Sequence, residues 1–344
     1  MTYIFGKKLI IFIVGATVLF GLFFIYKAGR TITVIGSGAS YFWDDDLTFF
    51  PKIPDREDNR IDILILGIRG IDDKNEKEDS NGDFLADTII VASFNRDNEK
   101  ASIISIPRDL YVDIPGYGKE KINSAYAVGE SRHYGGGGLE LMKLLLSSIS
   151  GVYIDHAVSI DFEGFKKIID DIGGITIYRD TPFEESRQWV LDGREGKRYW
   201  RLDEETGWTF YVPEGENVMN SEEALYYARS RYSSSDFDRM RRQQEVISAI
   251  KSKTLNLGVL ANPIKILNIL STIENNVRID IPTSYIKELL SMVRKSKLQS
   301  FQTAILETGD SGLLTADNID GRFVLLPRTG DYSEIRELFR KIVE

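Results

Sequence analysis

The sequence contains no cysteine. Thiolate nucleophiles, thiolate zinc sites and disulfides are thereby excluded, and the absence fits a protein that works outside the cytoplasm. Histidine is scarce as well. His133 and His156 are the only two, they stand far apart, and neither accompanies a nucleophile signature, so a Ser-His-Asp mechanism has no support. Positive charge is in deficit: 43 Lys+Arg against 52 Asp+Glu give a formal net charge of -9. Proteins that coat nucleic acid present a basic face, so no nucleic-acid partner is expected, and any bound anion must be met locally by a few placed cations. There is no internal repeat, no Gly/Ser/Pro-rich linker near Pro263 and no GxxxxGK[ST] phosphate loop; Gly135 to Gly138 precede a helical pattern and read as a flexible turn.

What is present begins with LIIFIVGATVLFGLFFIY, Leu9 to Tyr26. At about 1.5 Å rise per residue this uncharged run comes close to crossing a hydrocarbon core of roughly 30 Å. It reads as a retained signal anchor, because it is longer than a usual signal-peptide core and no clean cleavage site follows. Lys7 and Lys8 precede it, whereas Lys27 and Arg30 give way to Asp44, Asp45 and Asp46, which favours a cytoplasmic N-terminus. The expected organisation is a cytoplasmic tail (1–8), a single transmembrane helix (9–26), an extracytoplasmic stalk (27–59) and one domain (60–344) at the outer face of the cell membrane.

The body alternates two periodicities. Ile61 to Leu66, Thr88 to Phe94 and Ala101 to Ile106 are short β-branched runs that suit buried strands of one sheet. Leu139 to Ile149, Glu222 to Ala228, Phe237 to about Leu255, Ser284 to Val293 and Ser333 to Val343 read as helices. So does the run from Phe162, capped by Asp161 and stopped by Gly173. The sum is an α/β layered domain. Asp180 to Gly215 holds Trp189, Trp200 and Trp208 among many charges with no clear period, and reads as an insertion or long loop whose aromatics pack locally.

One stretch concentrates the cations that the chain otherwise lacks. YYARSRYSSSDFDRMRRQQ (226–244) carries Arg229, Arg231, Arg239, Arg241 and Arg242 and no lysine. A helix starting at Ser221 would deliver Arg229 and Arg231 at its C-terminal end. On a second helix starting near Asp236, the residues Arg239, Arg242, Gln243 and Val246 share one face. A planar guanidinium fork binds phosphate oxygens two at a time, which an ammonium cannot do, so five arginines favour a phosphate ligand over a solvated surface. Arg108 joins them from ISIPRD, presented where a strand ends at Pro107. Asp87 abuts the start of TIIVASF, where a carboxylate can hold a hard divalent cation against a phosphate, and Asp83 stands just upstream.

LADT (85–88), SIPRDLYVDIPGYGKEKINSAYA (105–127), DFEGFKKIIDDIGGI (161–175), ALYYARSRY (224–232) and DFDRMRRQQEV (236–246) follow one another in that order. Together they resemble the LytR-CpsA-Psr family, over about residues 61 to 255. The resemblance implies a three-layer α/β/α domain with a central mixed sheet and a cleft for a lipid tail. It implies a membrane-anchored phosphotransferase that moves a glycopolymer from a polyprenyl pyrophosphate carrier to peptidoglycan with Mg2+. By motif, Asp87 would hold the magnesium, Arg108, Arg229 and Arg231 would contact the pyrophosphate, and Arg239 with Gln243 would match the family's functional arginine and glutamine. One departure stands out: LILGIRGIDD places Arg69 where the family's LLGxDxR has an aspartate. Asp72, Asp73 or Asp83 would then have to replace that carboxylate, or Arg69 itself binds phosphate. A non-catalytic lipid-phosphate-binding or attenuator-like membrane protein is the alternative expectation.

Overall fold

The structure, a computed structural model, describes residues 53–70, 84–133, 136–186, 198–203, 207–256, 276–282 and 302–344. The expected anchor at Leu9 to Tyr26, the carboxylates Asp72, Asp73 and Asp83, Trp189 and the expected helix Ser284 to Val293 lie outside the described residues. Among the described residues no helix is long and apolar enough to cross a membrane.

In chain order the elements are β1 (Arg60–Ile68), β2 (Ala86–Asn95), β3 (Ala101–Ile106), β4 (Tyr111–Ile114), β5 (Gly118–Lys121), α1 (Ser124–Arg132), α2 (Gly137–Ser150), β6 (His156–Ile160), α3 (Phe162–Asp171), β7 (Ile175–Arg179) and β8 (Phe183–Glu185). There follow β9 (Trp200–Asp203), β10 (Gly207–Val212), β11 (Gly215–Met219), α4 (Ser221–Arg229), α5 (Asp236–Asn256), β12 (Val277–Ile279), β13 (Gln302–Ile305), β14 (Leu314–Ile319), β15 (Arg322–Pro327) and α6 (Ser333–Lys341).

Six strands form the central sheet in the order β12-β6-β1-β2-β3-β13. It is mixed: β1 runs parallel to β6 and β3 parallel to β13, while β2 is antiparallel to both of its neighbours. Strict alternation sorts its side chains between two faces. Leu64, Leu66, Ile89, Val91 and Ile104 are buried against Tyr126 of α1, Leu145 of α2 and Phe339 of α6. On the opposite face α5 lies across the β3–β13 side, where Gln244 Nε2 donates to Ser105 Oγ and Ala304 O, both at 2.9 Å. Helices therefore cover both faces. Along that second face Ile63, Ile65, Ala92 and Val158, brought side by side by the strand register, are half-buried rather than sealed.

Two of the expected strands are found within longer ones and the third, Ala101–Ile106, has the expected bounds, and Asp161 caps α3 by accepting from Gly164 N at 2.7 Å. α4 starts at Ser221, as expected. Asn220 is the cap, and it forms a reciprocal box with Glu223 that meets two backbone N–H groups at once. The larger correction concerns 180–215. The stretch read as a loop holds the three-stranded sheet β8-β10-β9 and the start of β11, which pairs with β7. Three to six residues per strand, interleaved with charges, leave too short a window for a period to show. Its aromatics do pack locally: the Trp200 ring lies 5.2 Å from Phe210 and 4.9 Å from Tyr226 between centroids, in a second core with Ile175, Tyr199 and Tyr227.

Candidate functional site

Parallel strands of an open sheet end together, and here their carboxyl ends gather the charged residues. Arg69 follows β1, Arg108 follows β3 and Asp161 follows β6, while β2 runs the other way and so begins, at Ala86 and Asp87, beside the same edge. A β-bulge sharpens the placement. The β1–β2 register passes from Gly67↔Thr88 to Ile68↔Ala86, leaving Asp87 unpaired in the ladder. A bulged residue is re-aimed, and this one points its carboxylate at Arg108. Gly70 then turns the chain with φ +88 and sits so close to Asp161 that a Cβ would come within 2.6 Å of the Asp161 Cβ; only glycine lets the Arg69 loop lie there.

The Arg108 guanidinium lies 2.6 Å from Asp87 Oδ1 and 3.8 Å from Asp236 Oδ1. Arg239 reaches the same place from the first turn of α5. It donates to Asp87 O at 3.1 Å and pairs with Asp236 at 3.0 Å. Arg229, the last residue of α4, lies over the Phe162 ring at 4.1 Å, a contact that orients a guanidinium without consuming its donors. Burial would lower the pKa of Arg108, but the Asp87, Asp236 and Asp109 carboxylates hold it above its ordinary value. Burial pulls Arg239 down; Asp236 opposes this and the neighbouring Arg108 adds to it. Loss of hydration, then Arg69, pulls Arg229 down. Arg231 acts in the same direction on both Arg229 and Arg239. Arg69, Arg108, Arg229, Arg231 and Arg239 thus share one electrostatic neighbourhood with the carboxylates of Asp87, Asp236 and Asp109.

Five guanidiniums against the carboxylates of Asp87, Asp236 and Asp109, the last shared with Lys121, leave a local excess of positive charge in a chain that is acidic overall. Two polar atoms state the same demand. Arg239, 5% exposed, has a buried Nε–H without an acceptor, and one turn on Gln243 has a buried Oε1 without a donor, although its Nε2 donates to Ala228 O at 3.3 Å. Buried polar groups in folded proteins are normally paired, so a donor and an acceptor left over beside a cationic cluster mark the place of a polar ligand.

The remaining two arginines of the stretch, neither of them among the expected pyrophosphate ligands, do other work. Arg241 is exposed and pairs with Asp238 and Glu307. Arg242 is buried, and it donates to the carbonyls of Tyr227 and Ser230 and to Ser234 Oγ. It staples the α4–α5 loop from below. Glu185 does so from the side: its fully buried carboxylate accepts from the backbone N of Arg231 and Ser233 at 3.0 and 3.1 Å, and from Tyr232 N and Ser233 Oγ. Sequence reading missed both Glu185 and Asp236. No local signal marks Glu185, whereas Asp236 stands three residues before Arg239, a spacing that places the pair on one helix face. Replacing Glu185 by Ala strands three backbone donors, and should cost about 2–4 kcal/mol of stability by denaturant unfolding. Anion affinity should fall with it, because Arg231 rides on that loop.

A divalent cation finds one ready carboxylate. Among the described residues no group of three or more His, Asp or Glu side chains could hold a metal. Asp87 is available in exchange for its bond to Arg108, and Asp236 lies nearby. Magnesium commonly takes one or two carboxylates and completes its shell with substrate phosphates, so the donor set fits an ion that arrives with a phosphorylated ligand. Asp83, the second expected metal ligand, lies outside the described residues.

The family model of LytR_cpsA_psr proteins matches residues 44–337. The chain belongs to the LytR-CpsA-Psr family. Regulatory protein MsrR of Staphylococcus aureus (strain COL) is 31% identical over 232 residues, 67% of this chain and 59% of MsrR; the chain thus spans about three fifths of that relative. The TagU of Enterococcus faecalis, named polyisoprenyl-teichoic acid--peptidoglycan teichoic acid transferase, is 27% identical over 83% of this chain and 82% of its own. Among solved structures, protein gbs0355 of Streptococcus agalactiae superposes with a TM-score of 0.62 at 22% identity, covering 83% of this chain and 88% of that one. TagT bound to LIIa-WTA superposes with a TM-score of 0.59 at 20% identity, covering 85% and 94%. These likenesses establish the LytR-CpsA-Psr fold for the mixed sheet and its helices.

Proposed function

We propose that this LytR-CpsA-Psr protein is a phosphotransferase that moves a glycopolymer from a polyprenyl pyrophosphate carrier to peptidoglycan, at the outer face of the cytoplasmic membrane. The observation that carries the reading is the meeting of Arg108 and Arg239 on Asp87 and Asp236 at one end of the sheet, with Arg229 over Phe162, Arg69 just after β1 and the unmatched Arg239 Nε–H among them. A pyrophosphate supplies the negative charge and the several oxygens that such a cluster needs. The half-buried stripe Ile63, Ile65, Ala92 and Val158 leads along the sheet toward the same edge, and gives an isoprenoid chain an apolar path. The name of TagU describes the transfer of teichoic acid from such a carrier to peptidoglycan.

The chemistry follows from charge. A hydroxyl oxygen of the acceptor glycan bonds to the phosphorus nearest the transferred polymer. The bond from that phosphorus to the bridging oxygen breaks, and polyprenyl phosphate leaves with the proton. Negative charge builds on the bridging and terminal oxygens, where preplaced guanidiniums stabilise it without reorganising. Asp87 would hold magnesium against the pyrophosphate, which adds charge neutralisation when bound. Arg239 is fixed by Asp236 and the Asp87 carbonyl, so its direction is set before substrate arrives. Purified full-length chain, a lipid-linked glycan and peptidoglycan should together yield a phosphodiester-linked product and polyprenyl phosphate, both visible by mass spectrometry. Binding of the lipid without any turnover, across acceptors, would overturn the transferase reading and leave an attenuator-like binding protein.

A further inference from the structure

A groove of about 470 Å³ runs along the face of α5 that points away from Arg239. This volume is within the range of ligand sites, about 300–1,000 Å³. Its floor is α5 from Arg241 to Ser252, about 16 Å along the axis at the helical rise. One wall is β7, from Thr176 to Tyr178, and the other is the start of β13 at Thr303. Both walls are edge strands: β13 closes the central sheet on one side, and β7 pairs only with β11 among the described strands.

The floor is polar and held in place from beneath. Gln244, only 8% exposed, places both amide hydrogens on Ser105 Oγ and Ala304 O, so its orientation is set and its carbonyl oxygen is left without a donor. Glu245 accepts from Arg179 Nη1 at 3.2 Å and from the Tyr227 hydroxyl. Ser248 and Ser252 are short, which makes the trough, and they line it with hydroxyls. At its rim stands Tyr178, a largely exposed aromatic ring at 69%.

The lining selects a chemical class. Fixed acceptors, hydroxyls and an exposed ring suit a polyol: the hydroxyls and acetamides of a sugar meet the polar floor, and the polarised C–H face of a pyranose meets the negative face of the ring. Ile177 and Ala249, the aliphatic side chains of the lining, are themselves buried, which leaves little aliphatic side-chain surface for an isoprenoid tail or for the side-chain pockets of an added peptide strand. Charge separates the two glycans of the proposed reaction. Arg241 is paired with Asp238 and Glu307, and Glu245 with Arg179, so among the described residues the groove carries no spare cation for a polyanionic donor polymer. We infer that this groove binds an uncharged, N-acetylated glycan strand. Its assignment as the acceptor subsite rests on the proposed transferase reading; the binding itself does not.

The test titrates chitohexaose, poly(glycerol phosphate) and a free peptidoglycan stem peptide separately into the full-length chain in detergent, by calorimetry. Chitohexaose should bind, and Tyr178→Ala should weaken it by about fivefold or more through loss of the ring contact. Ser248→Trp, which fills the trough, should abolish it. Both variants should bind inorganic diphosphate as the parent does, which shows that they are folded and that the arginine cluster is intact. Failure of the parent to bind chitohexaose, equal binding by both variants, or capture of the anionic polymer or the peptide in its place would each overturn the glycan assignment. Loss of diphosphate binding in the parent would instead strike the pyrophosphate reading and leave this one standing.

Discussion

Arg239→Lys is expected to weaken binding or turnover of a polyprenyl pyrophosphate by at least about tenfold, equivalent to about 1.4 kcal/mol. The guanidinium makes three contacts that depend on its shape: two with the Asp236 carboxylate and one with the Asp87 carbonyl. Its Nε–H is left over for the ligand. An ammonium keeps the charge but cannot hold both protein partners and the ligand in one plane. Arg231→Lys belongs to the same class, because the loop that carries it is anchored through its backbone on Glu185 and leaves the side chain exposed to solvent. Arg241→Lys is the control. Its partners Asp238 and Glu307 are surface carboxylates, and exposed pairs contribute little, so diphosphate affinity should not change. Equal and small effects at all three positions, measured at one salt concentration, would mean that the arginines only solvate a surface.

That division of labour marks the limit of what the chain states on its face. Strands β1, β2 and β3 were legible because β-branched runs bounded by polar residues have few other uses, and α3 because Asp161 and Gly173 punctuate it. The shared face of Arg239 and Gln243 follows from helical spacing alone, and both now show an unmatched polar atom. Arg242 lies on that face by the same arithmetic, yet it turns under the loop to the Tyr227 and Ser230 carbonyls. Spacing fixes a direction and not a partner. Glu185 was illegible because the donors that it satisfies lie 46 to 48 residues away in the chain. The bulge at Asp87 is equally a property of two strands, since only the offset against β1 shows that one residue is skipped. Arg69 was visible as a departure from the family pattern, and its charge, just after β1, adds to the lowering of the Arg229 pKa.

Asp87→Asn separates these roles. Asparagine keeps the size of the side chain and the backbone carbonyl to which Arg239 donates, so the fold and the Arg239 position should survive. What is lost is one negative charge, together with the charge-assisted bond to Arg108 at 2.6 Å. Two consequences oppose each other. Freed from Asp87, Arg108 turns more fully to the pyrophosphate, and diphosphate binding without metal should hold or strengthen. The carboxylate that would hold magnesium is gone, and an amide oxygen is a far weaker ligand for a hard cation. Magnesium-dependent turnover should therefore fall by at least about tenfold, and the rise in magnesium affinity that diphosphate brings to the parent protein should disappear in calorimetry. A simple loss of stability would lower metal-free diphosphate binding too, which this assignment does not predict. Unchanged turnover with unchanged magnesium affinity would remove Asp87 from the metal, and would transfer the task either to Asp83 or to a metal-independent site built on Arg69.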